Sequence, residues 1–270
     1  MSQMFSDALD ADAPKVYNTQ HLLEVFSQGE TEKMNKCIKF GIVAAAFASV
    51  VSAYAEVEVE DEETEGAIGW TPVAVGLASP VQLPWGSHKW DVFGLNLGVI
   101  WTDAPKMYGL DVTGIASASR DDLKGLKVSA LCNWNSTNVY GMRATIGGNF
   151  CWGTEYGADL GLFAIRKEMW GLDLELVGSY QDEFHGVQVG LLANVSTELS
   201  YGAGLALGCN WAPTMYGFDF AIFNYTKELH GCQLGIVNFA TECPWGFQIG
   251  LINIIMDNSW KVLPIVNGFF

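Results

Sequence analysis

The sequence predicts an all-β fold, an antiparallel meander of about 12 strands built from ~15-residue repeats and closed into a transmembrane β-barrel. Three observations predict it. Glycine recurs at intervals of 14 to 16 residues from Gly94 to Gly246. Apolar and polar residues alternate after each of those glycines, the period of a strand with two unlike faces. Each unit leaves room for a strand of about 9–10 residues and a short turn, and a tilted strand of about that length crosses a bilayer.

Composition narrows the classes first. Half of the 270 residues are hydrophobic and only 16% are charged, with 30 Gly and 10 Trp, which excludes a disordered chain. No apolar run is long enough for a helical multi-span membrane protein. Asp plus Glu total 30 against 14 Lys plus Arg, a formal net charge of −16. That charge opposes a phosphate backbone and excludes nucleic acid as a partner.

The chain then divides into four parts. Residues 34–55 have the pattern of a secretory signal: Lys36 and Lys39 precede an apolar run from Phe40 to Val51, and Ser52-Ala53-Tyr54-Ala55 supplies a small-x-small ending, with cleavage after Ala55. Residues 1–33 lie upstream of that signal and read as a mis-annotated or disordered segment, translation starting at Met34. Residues 56–70 open with the acidic run Glu56–Glu65 and read as a solvated linker. Residues 71–270 form the repeat β-domain.

Within it, units such as Phe93-Gly94-Leu95-Asn96, Tyr140-Gly141-Met142-Arg143, His185-Gly186-Val187-Gln188 and Trp245-Gly246-Phe247-Gln248 share one design. An aromatic residue or His precedes the Gly, and alternation follows it. Seven or eight residues later many units carry Asn before an aromatic or aliphatic residue, as in Asn133-Trp134, Asn210-Trp211 and Asn238-Phe239. Between Gly186 and Val195 the face of Val187, Val189 and Leu191 is apolar, and that of Gln188, Gly190 and Asn194 is mostly polar. Thr71–Leu83 adds an entry strand interrupted by Pro80, and Trp260–Phe270 a closing strand that Pro264 confines to an edge or bulge.

An all-apolar face on so many strands meets either lipid, outside a barrel, or a second layer, inside a soluble β-solenoid or sandwich. Aromatic residues near both strand ends resemble interfacial girdles, and glycines on the polar face suit a narrow lumen, which favours the barrel. Turns that are all short, and gaps with no odd–even difference, favour the solenoid.

The units Gly231-Cys232-Gln233-Leu234-Gly235-Ile236-Val237-Asn238 and Gly246-Phe247-Gln248-Ile249-Gly250-Leu251-Ile252-Asn253 resemble a family of uncharacterised bacterial surface-repeat proteins built from Gly-Leu-Gln-x-Gly-Leu-x-Asn repeats. The segments Ser79–Pro84 and Leu263–Asn267 resemble that family's ends, and Tyr140–Gly147 departs from its pattern. The resemblance covers residues 71–270 and implies an exported, envelope-associated protein with no catalytic residues.

Chemistry on the polar face is limited to Asp111, Lys127, Arg143, Asp159, Asp173, Glu175 and Asp219, which a barrel would place in its lumen or use as internal salt bridges. Cys132, Cys151, Cys209, Cys232 and Cys243 have no metal or redox spacing, and Cys132 and Cys209 read as small hydrophobes. His185 and His230 replace Tyr or Trp before the Gly and read as interface rings. Gly202-Ala203-Gly204 lacks the spacing and the following helix of a phosphate loop. The sequence therefore predicts no enzyme, cofactor or metal. It predicts an exported structural surface protein or narrow pore in the outer membrane of a Gram-negative-type bacterium, with membrane lipid as its partner. The alternative is a soluble or surface-displayed β-repeat binding module.

Overall fold

A computed structural model describes residues 67–269. The signal over 34–55, the segment 1–33 and the acidic run lie outside the described residues. The described chain is all-β, and no helix in it is long and apolar enough to cross a membrane.

The repeat holds two strands, and they stack in parallel. Strand β1 (Gly69–Ala78) pairs with a short antiparallel β2 (Val81–Leu83), the break falling at Pro80 as its missing donor requires. Strand β3 (Trp90–Ala104) lies parallel to β1 and turns a corner midway. Its first part pairs with β4 (Met107–Thr113), Gly94 opposite Gly109, and its last four residues pair with β5 (Ala116–Ser119), Trp101 opposite Ala116. The next coils continue both ladders through β6 (Leu123–Ser129), β7 (Cys132–Asn135) and β8 (Val139–Thr145). Strands β9 (Gly148–Gly190), β10 (Ala193–Ala206) and β11 (Cys209–Ile255) run on round successive corners in the same parallel register. Strand β12 (Val262–Gly268) closes the stack antiparallel to β11, on an edge that tolerates Pro264.

This is a β-solenoid, and it overturns the antiparallel meander and the closed barrel, together with the membrane-spanning outer-membrane reading built on them. A strand follows each repeat glycine, but the partner of each is the same position one coil later, not a hairpin neighbour. The Asn seven or eight residues after the glycine, which the meander takes into the end of one long strand, belongs to the second strand of its coil.

The faces are also reversed relative to a soluble solenoid. Val187, Val189 and Leu191 point outward and are exposed, whereas Gln188 and Asn194 are buried. Inside, identical positions meet at the ~4.8 Å spacing of paired strands, so a polar side chain finds its own kind as partner. Asn194 donates to Asn210, Asn210 to Asn224, Asn224 to Asn238 and Asn238 to Asn253, at 2.8–3.2 Å. Each of these donors also reaches a backbone carbonyl near the start of the next coil, as Asn224 does to Leu234 at 3.0 Å. A buried amide left unpaired costs about 1–3 kcal/mol, so such a column is favourable only when continuous. Apolar packing fills the rest of the interior, in one cluster around Val92, Met107, Leu123 and Val139 and another around Met215, Leu229 and Ile255.

The repeat glycine is fixed by close approach. Gly157 has φ +142°, in the region that only glycine occupies readily, and a Cβ there would collide with the carbonyl oxygen of Gly141. The same holds along the column, so each glycine seats the next coil.

Candidate functional site

Going round one coil shows where the chemistry lies. From Gly217, Phe218 and Phe220 face out while Asp219 and Ala221 face in. The corner Ile222-Phe223 follows, then inward Asn224 and Thr226 flank outward Tyr225. A second corner, Lys227-Glu228, is exposed, and His230 leads into the next glycine. In this coil charged side chains thus occupy one corner and the interior, and the rest of the outer surface is apolar or aromatic.

The seven predicted site residues are all buried, at 0–3% exposure, in a packed interior and not along an open lumen. Asp111, Lys127, Arg143 and Asp159 occupy one column in adjacent coils. Asp173, Asp219 and Glu175 are also inward, Glu175 two residues beyond Asp173. Lys127 donates to Ser119 at 2.7 Å and lies 3.9 Å from Asp111, whose carboxylate accepts from Thr102, Thr113 and Ser117. Burial pushes Lys127 down to about 8 against the pull of Asp111.

The structure brings Arg143, Asp159 and Asp173 together with two residues that the sequence reading missed, Glu155 and Arg166. Arg143 donates to Glu155 at 3.1 and 2.6 Å, to Asp159 at 2.8 Å and to the Phe150 carbonyl at 2.8 Å. Arg166 reaches in from the opposite ladder to Asp159 at 2.7 Å, Glu155 at 3.1 Å and Asp173 at 2.5 Å. Burial opposes the charge on both guanidiniums, but the carboxylates outweigh it and hold both above the usual arginine range. Burial likewise opposes Glu155, and the two arginines overcome it, so Glu155 is held low. Asp159 is pushed up to about 8 by burial, with Glu155 adding to the shift and the arginines resisting it. Glu175 is pushed up to about 9 by burial and then by Asp159 and Asp173. Near neutrality two guanidiniums therefore face an ionised Glu155, while Asp159 and Glu175 keep their protons. Asp219 lies apart from this cluster, and burial takes it to about 7.

A signal for Glu155 was present. Two residues before the repeat glycine the column runs Val92, Met107, Leu123, Val139, Glu155, Met169, and one acid among apolar residues needs a buried partner. Arg166 could not be assigned inward without knowing that the coil holds a second strand.

Asp159, Asp173 and Glu175 bring carboxylate oxygens within 4.8 Å of one another, a spacing that could suit a cation. Arg166 already pairs with two of them and protons neutralise the excess, so the arrangement reads as a self-compensating ion cluster. Glu168, Glu183 and His185 form a second such group on the outer surface, where His185 lies 3.4 Å from Glu183.

Outside, aromatic rings stack along the axis on both ladders. Before the glycine, Tyr140 and Tyr156 are 5.3 Å apart and within 5° of parallel, and Trp170 and His185 are 3.8 Å apart at 9°. His230 stacks on Tyr216 at 4.3 Å. Lys124 takes a ring's place, with its ammonium 5.0 Å from Tyr108 and 5.5 Å from Tyr140. On the second ladder Trp211, Tyr225 and Phe239 stack at 3.8 and 5.3 Å. The two histidines are thus ring-stacked on the surface. Cys132, Cys151, Cys232 and Cys243 are free thiols.

No family model, curated protein or solved structure matches the chain.

Proposed function

We propose that the chain is a non-catalytic surface module, exported through the signal over 34–55, that acts through the outer surface of a rigid solenoid. One observation carries this reading: the interior holds a closed, paired ion cluster, the other charges gather mainly at one exposed corner, and the rest of the surface is a repetitive, mostly apolar and aromatic array. Function then lies in association, because a buried ion cluster offers no access to a substrate and an exposed patch of this extent marks an interaction surface. The resemblance of Gly231–Asn238 and Gly246–Asn253 to surface-repeat proteins supports the same reading.

Protease added to intact cells that express the full chain tests it. Removal of the repeat domain while a cytoplasmic marker stays whole is the expected result. Complete protection until the cells are lysed, with the residue 34–55 segment still attached, would overturn it.

A further inference from the structure

The outer surface is sorted into zones by position round the coil, and most coils repeat the same order, with Lys124 in one aromatic column and Ala118 and Val195 in the other. At the first and third positions after each repeat glycine, from Leu95 and Leu97 to Phe247 and Ile249, no residue is charged. The corner that follows is a column of aliphatic side chains, including Ile146 (81% exposed), Leu191, Leu207, Ile222 and Leu251 (70% exposed). The opposite corner carries the outward charges, among them Asp121, Glu168, Glu198, Glu228 and Glu242. The two aromatic columns flank that charged corner, one on each ladder.

We propose that the solenoid seats itself edge-first in one leaflet of a lipid membrane, its axis parallel to the surface. The aliphatic corner lies deepest, the two aromatic columns sit at the headgroups and the charged corner stays in water. This rests on the reading of the outer surface as the working surface and names what it meets.

Four features select lipid over other occupants. Aromatic rings on both sides of a polar edge form the belt that amphipathic rings make at a membrane interface. The rings face one another at 3.8–5.3 Å in the closest stacks, so their faces are taken and cannot serve as platforms for sugars or bases. From the first position after the glycine to the aliphatic corner is four residues, about 13 Å of strand, close to the ~15 Å of one leaflet's hydrocarbon and well short of a full bilayer. The parallel ladders satisfy backbone donors and acceptors within the chain, the condition that hydrocarbon imposes on any backbone it surrounds. The charged corner is mostly acidic, so seating needs no anionic lipid and is not an electrostatic attraction of the kind basic amphipathic helices use.

The full chain, purified as the cell releases it, should float with phosphatidylcholine vesicles, and added anionic lipid or salt should not strengthen the binding. Replacing Leu191 and Leu207 by Glu should weaken flotation at least tenfold, and Glu198→Gln should leave it unchanged. Both substituted leucines are exposed, and an unaltered β circular-dichroism spectrum separates lost binding from lost folding. Brominated lipids should quench tryptophan fluorescence most when the bromines lie near the headgroups. Wild-type protein that stays with the aqueous fraction overturns lipid seating, while digestion on intact cells would still uphold the surface-module reading. Self-association that L191E/L207E abolishes, without flotation, assigns the apolar edge to a second copy and also overturns it.

Discussion

Arg143 and Glu155 meet inside the solenoid in a two-pronged ion pair, Nε to Oε1 at 3.1 Å and Nη2 to Oε2 at 2.6 Å, with both side chains at 0% exposure. The pair bridges the neighbouring strands β8 and β9 of one ladder, so its strength bears directly on how the stack holds together. Removing one partner strands the other charge in a place water does not reach, and losses of about 3–5 kcal/mol are typical of that situation. Arg143→Met should lower the unfolding free energy by about that amount in a denaturant titration. A loss below about 1 kcal/mol would mean that water reaches Glu155.

Stability should fall as the pH rises from about 5 to about 8. Burial holds Asp159, Glu175 and Asp219 up to about 8, 9 and 7, whereas in the unfolded chain such groups release their protons near pH ~4. The folded state therefore binds more protons across this window, and their stabilising contribution, whole below about pH 4, is lost as pH climbs through the folded values. Glu155 works the other way only below its ordinary range, and Lys127 only above about 8. Denaturant midpoints at the two pH values check the sign, and Asp219→Asn should show a smaller fall than wild type.

Two glycines separate backbone strain from steric conflict. Gly86 has φ +89° with nothing within 4 Å of the place a Cβ would take, whereas Gly157 combines φ +142° with the Gly141 carbonyl in the way. Gly86→Ala should cost about 1 kcal/mol, and Gly157→Ala should exceed the ~1–3 kcal/mol of strain alone. Equal losses in thermal or chemical denaturation would remove close approach as the reason for the glycine column.

Asn224 accepts from Asn210 at 3.2 Å and donates to Asn238 at 2.8 Å and to Leu234 at 3.0 Å. Asn224→Ala should cost about 1–3 kcal/mol through the partners it leaves unpaired. Amide hydrogen exchange should quicken most in the coils on either side. Uniform acceleration through residues 67–269 would show instead that the stack opens only as one unit.

The period, the strand after each glycine and the two unlike faces were legible in the sequence, because they follow from spacing and alternation alone. The stacking direction was not. Fifteen residues can be a long strand with a turn or two short strands with two corners, and in the coil Gly186–Tyr201 alternation resumes beyond the Leu191-Leu192 corner with Asn194 again facing in. Uniformly short turns and the absence of an odd–even difference in spacing were the features that pointed to a solenoid. Ionisable residues rarely fill a core, so alternation alone sends the inner face to a lumen; what admits them to this interior is pairing between coils, as Arg143 with Asp159 shows. Glu155 was visible as an exception in its column, and Arg166 was hidden by the missing second strand.

The asparagine column makes every coil between Asn194 and Asn253 a match for every other, since Asn meets Asn whichever unit arrives next. During assembly such a stretch could skip a unit and still present matching side chains, a degeneracy shared by any uniform lattice. The section from Lys127 to Asp173 has no such freedom. Omitting the coil of Arg143 would leave Arg166 as the only guanidinium among Asp159, Asp173 and Glu175, and omitting the coil of Asp159 would take Arg166 away from Asp173 as well. The ion cluster thus numbers the coils, giving the middle of an otherwise repetitive object an address from which the rest can be counted.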